Sequence, residues 1–248
     1  MAERFLNYIP PISSELRAQY EGTMAQEKRW QNGMQFSDVE ETLLDHVTDL
    51  FEIHGSVGIN FPKLFRVVDT PETEHMFYIH DGGEFGGLDL AHSVPNYIEV
   101  RKQVKRRERA TFRYITREHI DDIELKAYVR GIYKRYDNPD PSDVIAQYVH
   151  LIDKIQAIEF GTKNVFPARK LRTKDERKQQ INHDYGLVIG FAQNVMNSID
   201  REAGEELVEL VDNTILMFRK NGYREDEVQI YRNQLRQELA FQRDIAME

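Results

Sequence analysis

Cysteine is missing from this chain of 248 residues, which excludes disulfides, thiolate metal sites and cysteine nucleophiles. Long apolar runs are missing as well. No stretch approaches the roughly 18 apolar residues of a membrane span, so no membrane partner is expected. Met1-Ala2-Glu3-Arg4-Phe5 opens the chain without an apolar core of signal-peptide length, so a soluble cytoplasmic protein is expected. Positive charge is in short supply: 33 Lys and Arg stand against 42 Asp and Glu, a net charge of −9. That balance disfavours a nucleic-acid polymer as partner, since such a surface needs clustered cations to replace counterions. A small phosphorylated substrate stays open, because a buried metal and one or two arginines can dominate the field locally.

What the chain does have is an ordinary globular composition, with 40% hydrophobic and 10% aromatic residues, enough for a packed core. The periodicity is helical almost throughout, with no convincing alternating strands, and predicts an all-α fold. Ser13 to about Lys28 reads as a helix after Pro10-Pro11. Ser37-Asp38-Val39-Glu40 reads as a capping box opening a helix with Val39, Leu43, Val47, Leu50 and His54 near one face. Gly55 is its expected stop. Asn60 to Val68 predicts a short helix, and Asp69-Thr70-Pro71-Glu72 starts another that ends or loosens at Gly82-Gly83. Gly86-Gly87 predicts a mobile loop. Further helices are predicted over 95–112, 117–135, from an Asp140 or Ser142 cap through Ile158, and over 174–199, 202–221 and 225–246. The expected organisation is a core over residues 1–165 with a helical C-terminal extension, residues 166–248, packed on it.

Chemistry concentrates in Phe77-Tyr78-Ile79-His80-Asp81-Gly82-Gly83-Glu84, flanked by His46 upstream and Asp153 downstream. His46 lies beside Val47 and three residues after Leu43, so it should point inward. An inward histidine is often a hydrogen-bonded core residue, and a His-Asp dipeptide arises by chance. Asp153 is more telling. A carboxylate among Leu151, Ile152 and Ile155 costs several kcal/mol unless a cation or donors compensate it. Lys154 is one such partner, awkwardly placed because adjacent helical positions point about 100° apart. Two imidazoles and two carboxylates suit borderline or hard divalent ions (Mn, Co, Mg, Fe or Zn) and leave room in an octahedral shell for water and a phosphate oxygen.

The order H…HD…D resembles the HD-domain metal-dependent phosphohydrolases, and five ordered elements resemble the branch related to bacterial 5′-deoxynucleotidases. Glu41-Thr42-Leu43-Leu44-Asp45-His46 looks like that branch's E-x-x-x-E-H helix, with Asp45 in place of the second Glu. His80-Asp81-Gly82-Gly83-Glu84 resembles its H-D-x-x-E, and Gly87-Leu88-Asp89-Leu90 its T-G-D-L substrate loop. Leu151-Ile152-Asp153-Lys154 looks like its A-D-K or A-D-A segment, and Arg29-Trp30 falls where the branch carries an R-W pair. The resemblance covers roughly residues 29 to 165. Two departures bear on the substrate: Gly87 lacks the hydroxyl of Thr, and Ala91 replaces the Pro that closes the loop.

The resemblance implies an HD-type helical bundle in which His46, His80, Asp81 and Asp153 hold one divalent metal ion. It implies that Glu84 assists the attacking water and that Arg29 orients the phosphate. Arg29 reads equally as a solvated cation, and Trp30 as a core anchor or a surface for sugar or base. His46, Asp81, Asp153 and the loop Gly87, Leu88, Asp89 and Leu90 complete the implied substrate contacts. The implied activity is dephosphorylation of deoxynucleoside 5′-monophosphates, with a homodimer as the implied assembly. Alternatives on the same core are a dNTP triphosphohydrolase, a non-catalytic nucleotide-binding protein, and a dinuclear-iron oxygenase drawing on His92 and His119. The basic run Lys102, Lys105, Arg106, Arg107 and Arg109 reads as a solvated helix face interleaved with Glu99 and Glu108. Leu207, Leu210, Ile215, Leu216 and Phe218 read as core or dimer surface.

Overall fold

The structure is a computed structural model that describes residues 41–83, 97–161, 174–217 and 225–245. Among the described residues there are nine helices: α1 (Leu43–Asn60), α2 (Pro62–Val68), α3 (Pro71–Ile79), α4 (Tyr97–His119), α5 (Ile123–Asp137), α6 (Val144–Phe160), α7 (Lys174–Met196), α8 (Arg201–Met217) and α9 (Glu225–Ile245). The protein is all-α. No helix among these residues is long and apolar enough to cross a membrane. The predicted helix at 13–28, the box at Ser37-Asp38-Val39-Glu40 and the loop at Gly86-Gly87 lie outside the described residues.

Helix α1 shows how local signals and burial compete. It opens at Leu43 rather than near Ser37. Its start is a reciprocal cap, with the Thr42 amide and hydroxyl donating to Asp45 Oδ2 at 3.0 and 2.7 Å and the Asp45 amide donating to Thr42 Oγ1 at 3.1 Å. The expected stop at Gly55 does not occur. Val47, Leu50, His54 and Val57 form one buried stripe at helical spacing. Burying Val57 outweighs the roughly 1 kcal/mol that an interior glycine costs. The helix ends where Phe61 precedes Pro62, because a residue before proline is steered away from helical backbone.

Three other boundaries differ from expectation. Helix α4 runs unbroken through residues 113–116, because Glu108, Phe112, Thr116 and Ile120 form a continuous buried stripe every four residues. The break comes at 120–122, where Asp122 caps α5 by accepting from the Leu125 amide at 2.8 Å. Asp143 caps α6 by accepting from the Ala146 amide at 3.1 Å, whereas Asp140 holds the Ser142 amide and hydroxyl. Helix α7 stops at Met196, and Asp200 then caps α8 through the Ala203 amide.

By internal contacts the chain divides into two compact units, residues 1–49 with 74–138 and residues 50–73 with 139–248. In the first, α4 packs on α5 around Phe112, Ile120, Val129 and Tyr133. In the second, α6 packs on α7, and α8 packs on α2, α6, α7 and α9. The largest fully buried side chains of that unit include Tyr148, Leu151, Ile152, Leu207 and Ile215. Glu206 of α8 accepts from the Lys63 and Leu64 amides at 2.7 and 2.9 Å, satisfying amides that a helix start leaves without partners.

His54 is a buried titratable group of the second unit. Its Nδ1 lies 2.9 Å from the Tyr148 hydroxyl and its Nε2 lies 3.6 Å from Asp69 Oδ1. Burial holds its pKa below the ordinary 6.5, against the opposing pull of Asp69. As pH falls, the unfolded chain therefore takes up this proton first. The stability that the neutral ring contributes is complete above about 6.5 and is lost as pH drops through the lower folded-state value. Urea denaturation at pH 7.5, 6.5 and 5.5 is expected to show a shallower acid-side loss for His54→Gln than for wild type; equal slopes contradict the assignment.

Candidate metal centre

His46 sits in the first turns of α1, on the face carrying Leu43, Val47 and Leu50, and it is fully buried. His80 and Asp81 follow α3 directly. The His80 amide still donates to the Met76 carbonyl at 2.9 Å, and the Gly82 amide closes a turn on the Ile79 carbonyl at 2.9 Å. His80 and Asp81 are therefore the two central residues of a tight turn, which aims both side chains from one short piece of backbone.

The three side chains converge. His46 Nε2 and His80 Nε2 lie 3.1 Å apart. Asp81 Oδ2 lies 3.0 Å from His80 Nε2 and 3.4 Å from His46 Nε2. Asp153 of α6, in the second unit, is buried too.

This donor set fits a divalent ion. Donor atoms about 2.0–2.2 Å from a metal stand roughly 2.8–3.6 Å from one another along the edges of an octahedron or tetrahedron. The three distances among His46, His80 and Asp81 fall inside that window. The groups behind the two rings agree. His80 Nδ1 lies 2.8 Å from the Phe77 carbonyl, which can only accept, so this nitrogen carries a proton and Nε2 is the ring atom left for a metal. His46 Nδ1 faces the buried Glu41 carboxylate at 3.9 Å, the side from which a carboxylate orients a ligating ring. Tyr136 meets the His80 ring edge-on at 5.0 Å between centroids and limits its rotation.

Asp153 also has a neighbour of opposite charge. The pairing that helix geometry made awkward does form, with Lys154 Nζ donating to Asp153 Oδ2 at 2.7 Å. The long lysine stem spans the angular gap, so part of the cost of burying this carboxylate is met by its sequence neighbour. Asp45, expected in the place of a second glutamate, is exposed and serves the helix cap.

Several expected residues lie outside the described residues: Arg29, Trp30, Glu84, Gly87, Leu88, Asp89, Leu90 and His92. Of the other histidines, His75 lies 2.6 Å from the Tyr128 hydroxyl, His150 stacks on Phe191, and His119 is exposed. None of these three joins the group around His46.

Sequence reasoning missed the acidic face of α4 and α5. Glu108 is 4% exposed, its carboxylate held by Lys105 Nζ at 2.6 Å. Its pKa is raised by burial against the opposing pull of Lys105, with Asp81 and Asp137 adding to the rise. Asp137 Oδ2 accepts from Arg109 Nε at 2.6 Å. Lys102, Arg106, Arg107 and Arg109 of the basic run are exposed as expected, while Lys105 and Arg109 are in addition tied to buried or nearly buried acids. The signal was the four-residue step from Phe112 back to Glu108, which puts that glutamate on the inward stripe. Gly82 and Gly83, expected to end or loosen the helix, follow its end at Ile79 and are buried.

Compared with protein-family models, with curated proteins and with solved structures, the chain matches none.

A metal held by these groups stabilises the fold by mass action, about 2.7 kcal/mol at a hundredfold excess over Kd. Mn²⁺ or Co²⁺ is therefore expected to raise the melting temperature of the wild-type chain and to leave that of His80→Ala unmoved. Equal shifts in both proteins contradict the centre.

Proposed function

We propose that this chain is a metal-dependent phosphohydrolase that removes phosphate from deoxynucleoside 5′-monophosphates. The observation that carries the proposal is the convergence of His46 Nε2, His80 Nε2 and Asp81 Oδ2 at 3.0–3.4 Å. The resemblance in residues 29 to 165 supplies the reaction class.

A divalent ion held by His46, His80 and Asp81 would supply Lewis acidity toward a phosphate oxygen and toward water. The remaining work falls to side chains. The His80 proton stays on Nδ1 at the Phe77 carbonyl, so Nε2 is kept as a donor atom through the cycle. Glu84, three residues beyond Asp81, takes the proton of the attacking water, a role that needs a carboxylate within hydrogen-bond reach of it. Arg29 orients the phosphate through the forked geometry of its guanidinium. Trp30 and the loop Gly87, Leu88, Asp89 and Leu90 hold the nucleoside. Phosphorus is attacked in line and the nucleoside alkoxide leaves, with no covalent intermediate.

The test is a panel of mono- and triphosphate nucleotides with Mn, Co, Mg and Fe, reading the phosphate species released. Inorganic phosphate from a deoxynucleoside monophosphate is the expected product. Tripolyphosphate from a dNTP assigns the chain to the triphosphohydrolase alternative, and tight nucleotide binding without turnover assigns it to a sensor. Glu84→Ala is expected to lower kcat by about 10²–10⁴-fold with metal binding retained. Full turnover in that variant removes Glu84 from the mechanism.

A further inference from the structure

The geometry points to Gly82 and Gly83 as positioning residues for the metal centre: their missing side chains let the His80-Asp81 turn seat directly on α4 and α5. This inference rests on the metal centre proposed above and goes beyond it, because it concerns what holds two of the ligands in place. The resemblance leaves both positions unspecified between Asp81 and Glu84, so nothing in that pattern calls for glycine.

The seat is tight on both sides. A Cβ at Gly82 would stand 2.8 and 2.9 Å from the ring edge of Phe112 and 3.0 Å from the Ile79 carbonyl. A Cβ at Gly83 would stand 2.6 Å from the Tyr133 hydroxyl, 2.8 Å from the Glu108 carbonyl and 2.9 Å from Glu108 Cβ. Such contacts lie inside van der Waals separation, so something must move. The obstacles at Gly83 include helix backbone, which does not yield. The two rings have little freedom either, because Phe112 and Tyr133 are buried and stack at 3.9 Å between centroids with 14° between planes. What remains free to move is the turn itself.

The turn carries the ligands. The Gly82 amide closes it on the Ile79 carbonyl, and His80 and Asp81 are the residues it encloses. Lifting Gly82 or Gly83 off α4 therefore opens the 3.0 Å approach of Asp81 Oδ2 to His80 Nε2 and the 3.4 Å approach to His46 Nε2. A side chain at either glycine acts through Asp81 and His80 without touching a ligand. Losses from disturbed supporting groups around a metal run to roughly 10–100-fold in affinity, and a loss of that size is expected here.

Calorimetric titration of the full-length chain with Mn²⁺ tests this, together with thermal unfolding in EDTA. The proteins compared are wild type, Gly83→Ala, Gly82→Ala and the double variant Gly82→Ala/Phe112→Leu. The expected result is that each single substitution raises the Mn²⁺ Kd about tenfold or more. The double variant is expected to recover most of that loss, because removing the ring edge clears the closest contacts at residue 82. Recovery is the decisive reading, since Phe112→Leu also leaves a core void and on stability alone the double variant should be worse than the single. Unchanged Mn²⁺ affinity in Gly82→Ala overturns the inference. So does a loss that the double variant deepens in step with its melting temperature in EDTA. Should Gly83→Ala not fold, the Gly82 pair decides the matter alone. Failure of the wild-type chain to bind Mn²⁺, Co²⁺ or Mg²⁺ instead overturns the metal centre itself, and the positioning role with it.

Discussion

The hydrogen bond from the Gly82 amide to the Ile79 carbonyl, 2.9 Å long, holds together the piece of backbone on which the candidate centre depends. It bends the chain as α3 ends and leaves an imidazole and a carboxylate side by side with no flexible stretch between them. A helix alone could not do this, since neighbouring helical residues point about 100° apart. A longer loop could, but only at the entropy cost of fixing each added residue, about 1–2 kcal/mol apiece. His46 then needs only to be buried on the stripe of α1 for its Nε2 to meet the other two donors. The proton on His80 Nδ1, committed to the Phe77 carbonyl, settles which nitrogen faces inward.

Much of this was legible in the chain, and the reasons are local. Leu43, Val47, Leu50 and His54 recur at helical spacing, so the inward direction of His46 followed from its neighbours. Asp153 among Leu151, Ile152 and Ile155 announced a buried carboxylate by the company it keeps. Other features were not legible, because they are decided by packing between elements distant in sequence. Gly55 has the look of a helix stop, and only the burial of Val57 two residues later shows why the helix continues. The break at 120–122 instead of 113–116 depends on Thr116 and Ile120 being buried, which polar neighbours such as Arg113 and Arg117 obscure. Gly82 and Gly83 carry the same ambiguity: glycine marks a loose segment and a close contact equally well, and Phe112 and Tyr133 lie far along the chain.

Charge in this protein is managed by pairing at close range. Lys105 with Glu108, Arg109 with Asp137, Lys154 with Asp153 and Arg232 with Asp212 each bring a long cationic side chain onto a largely buried acid. Lysine and arginine can do this because their stems cover apolar surface while the heads reach the carboxylate. Glu108 and Asp153 are buried in this way, each with a lysine head on its carboxylate. Among the histidines, His54, His75, His80 and His150 each meet a tyrosine or phenylalanine ring, and His46 and His80 face each other.

The clasp of Glu206 on the Lys63 and Leu64 amides has an implication for how the polypeptide can be shortened. Trimming the chain after residue 165 removes α7 from the flank of α6 and strips the carboxylate from the front of α2 in a single cut. Two amides lose their acceptor, and Gln147 and His150 of α6 lose Asn194 and Phe191 of α7. The last third of the polypeptide is a wall of the building rather than an annex, and a minimal version of this protein has to keep it.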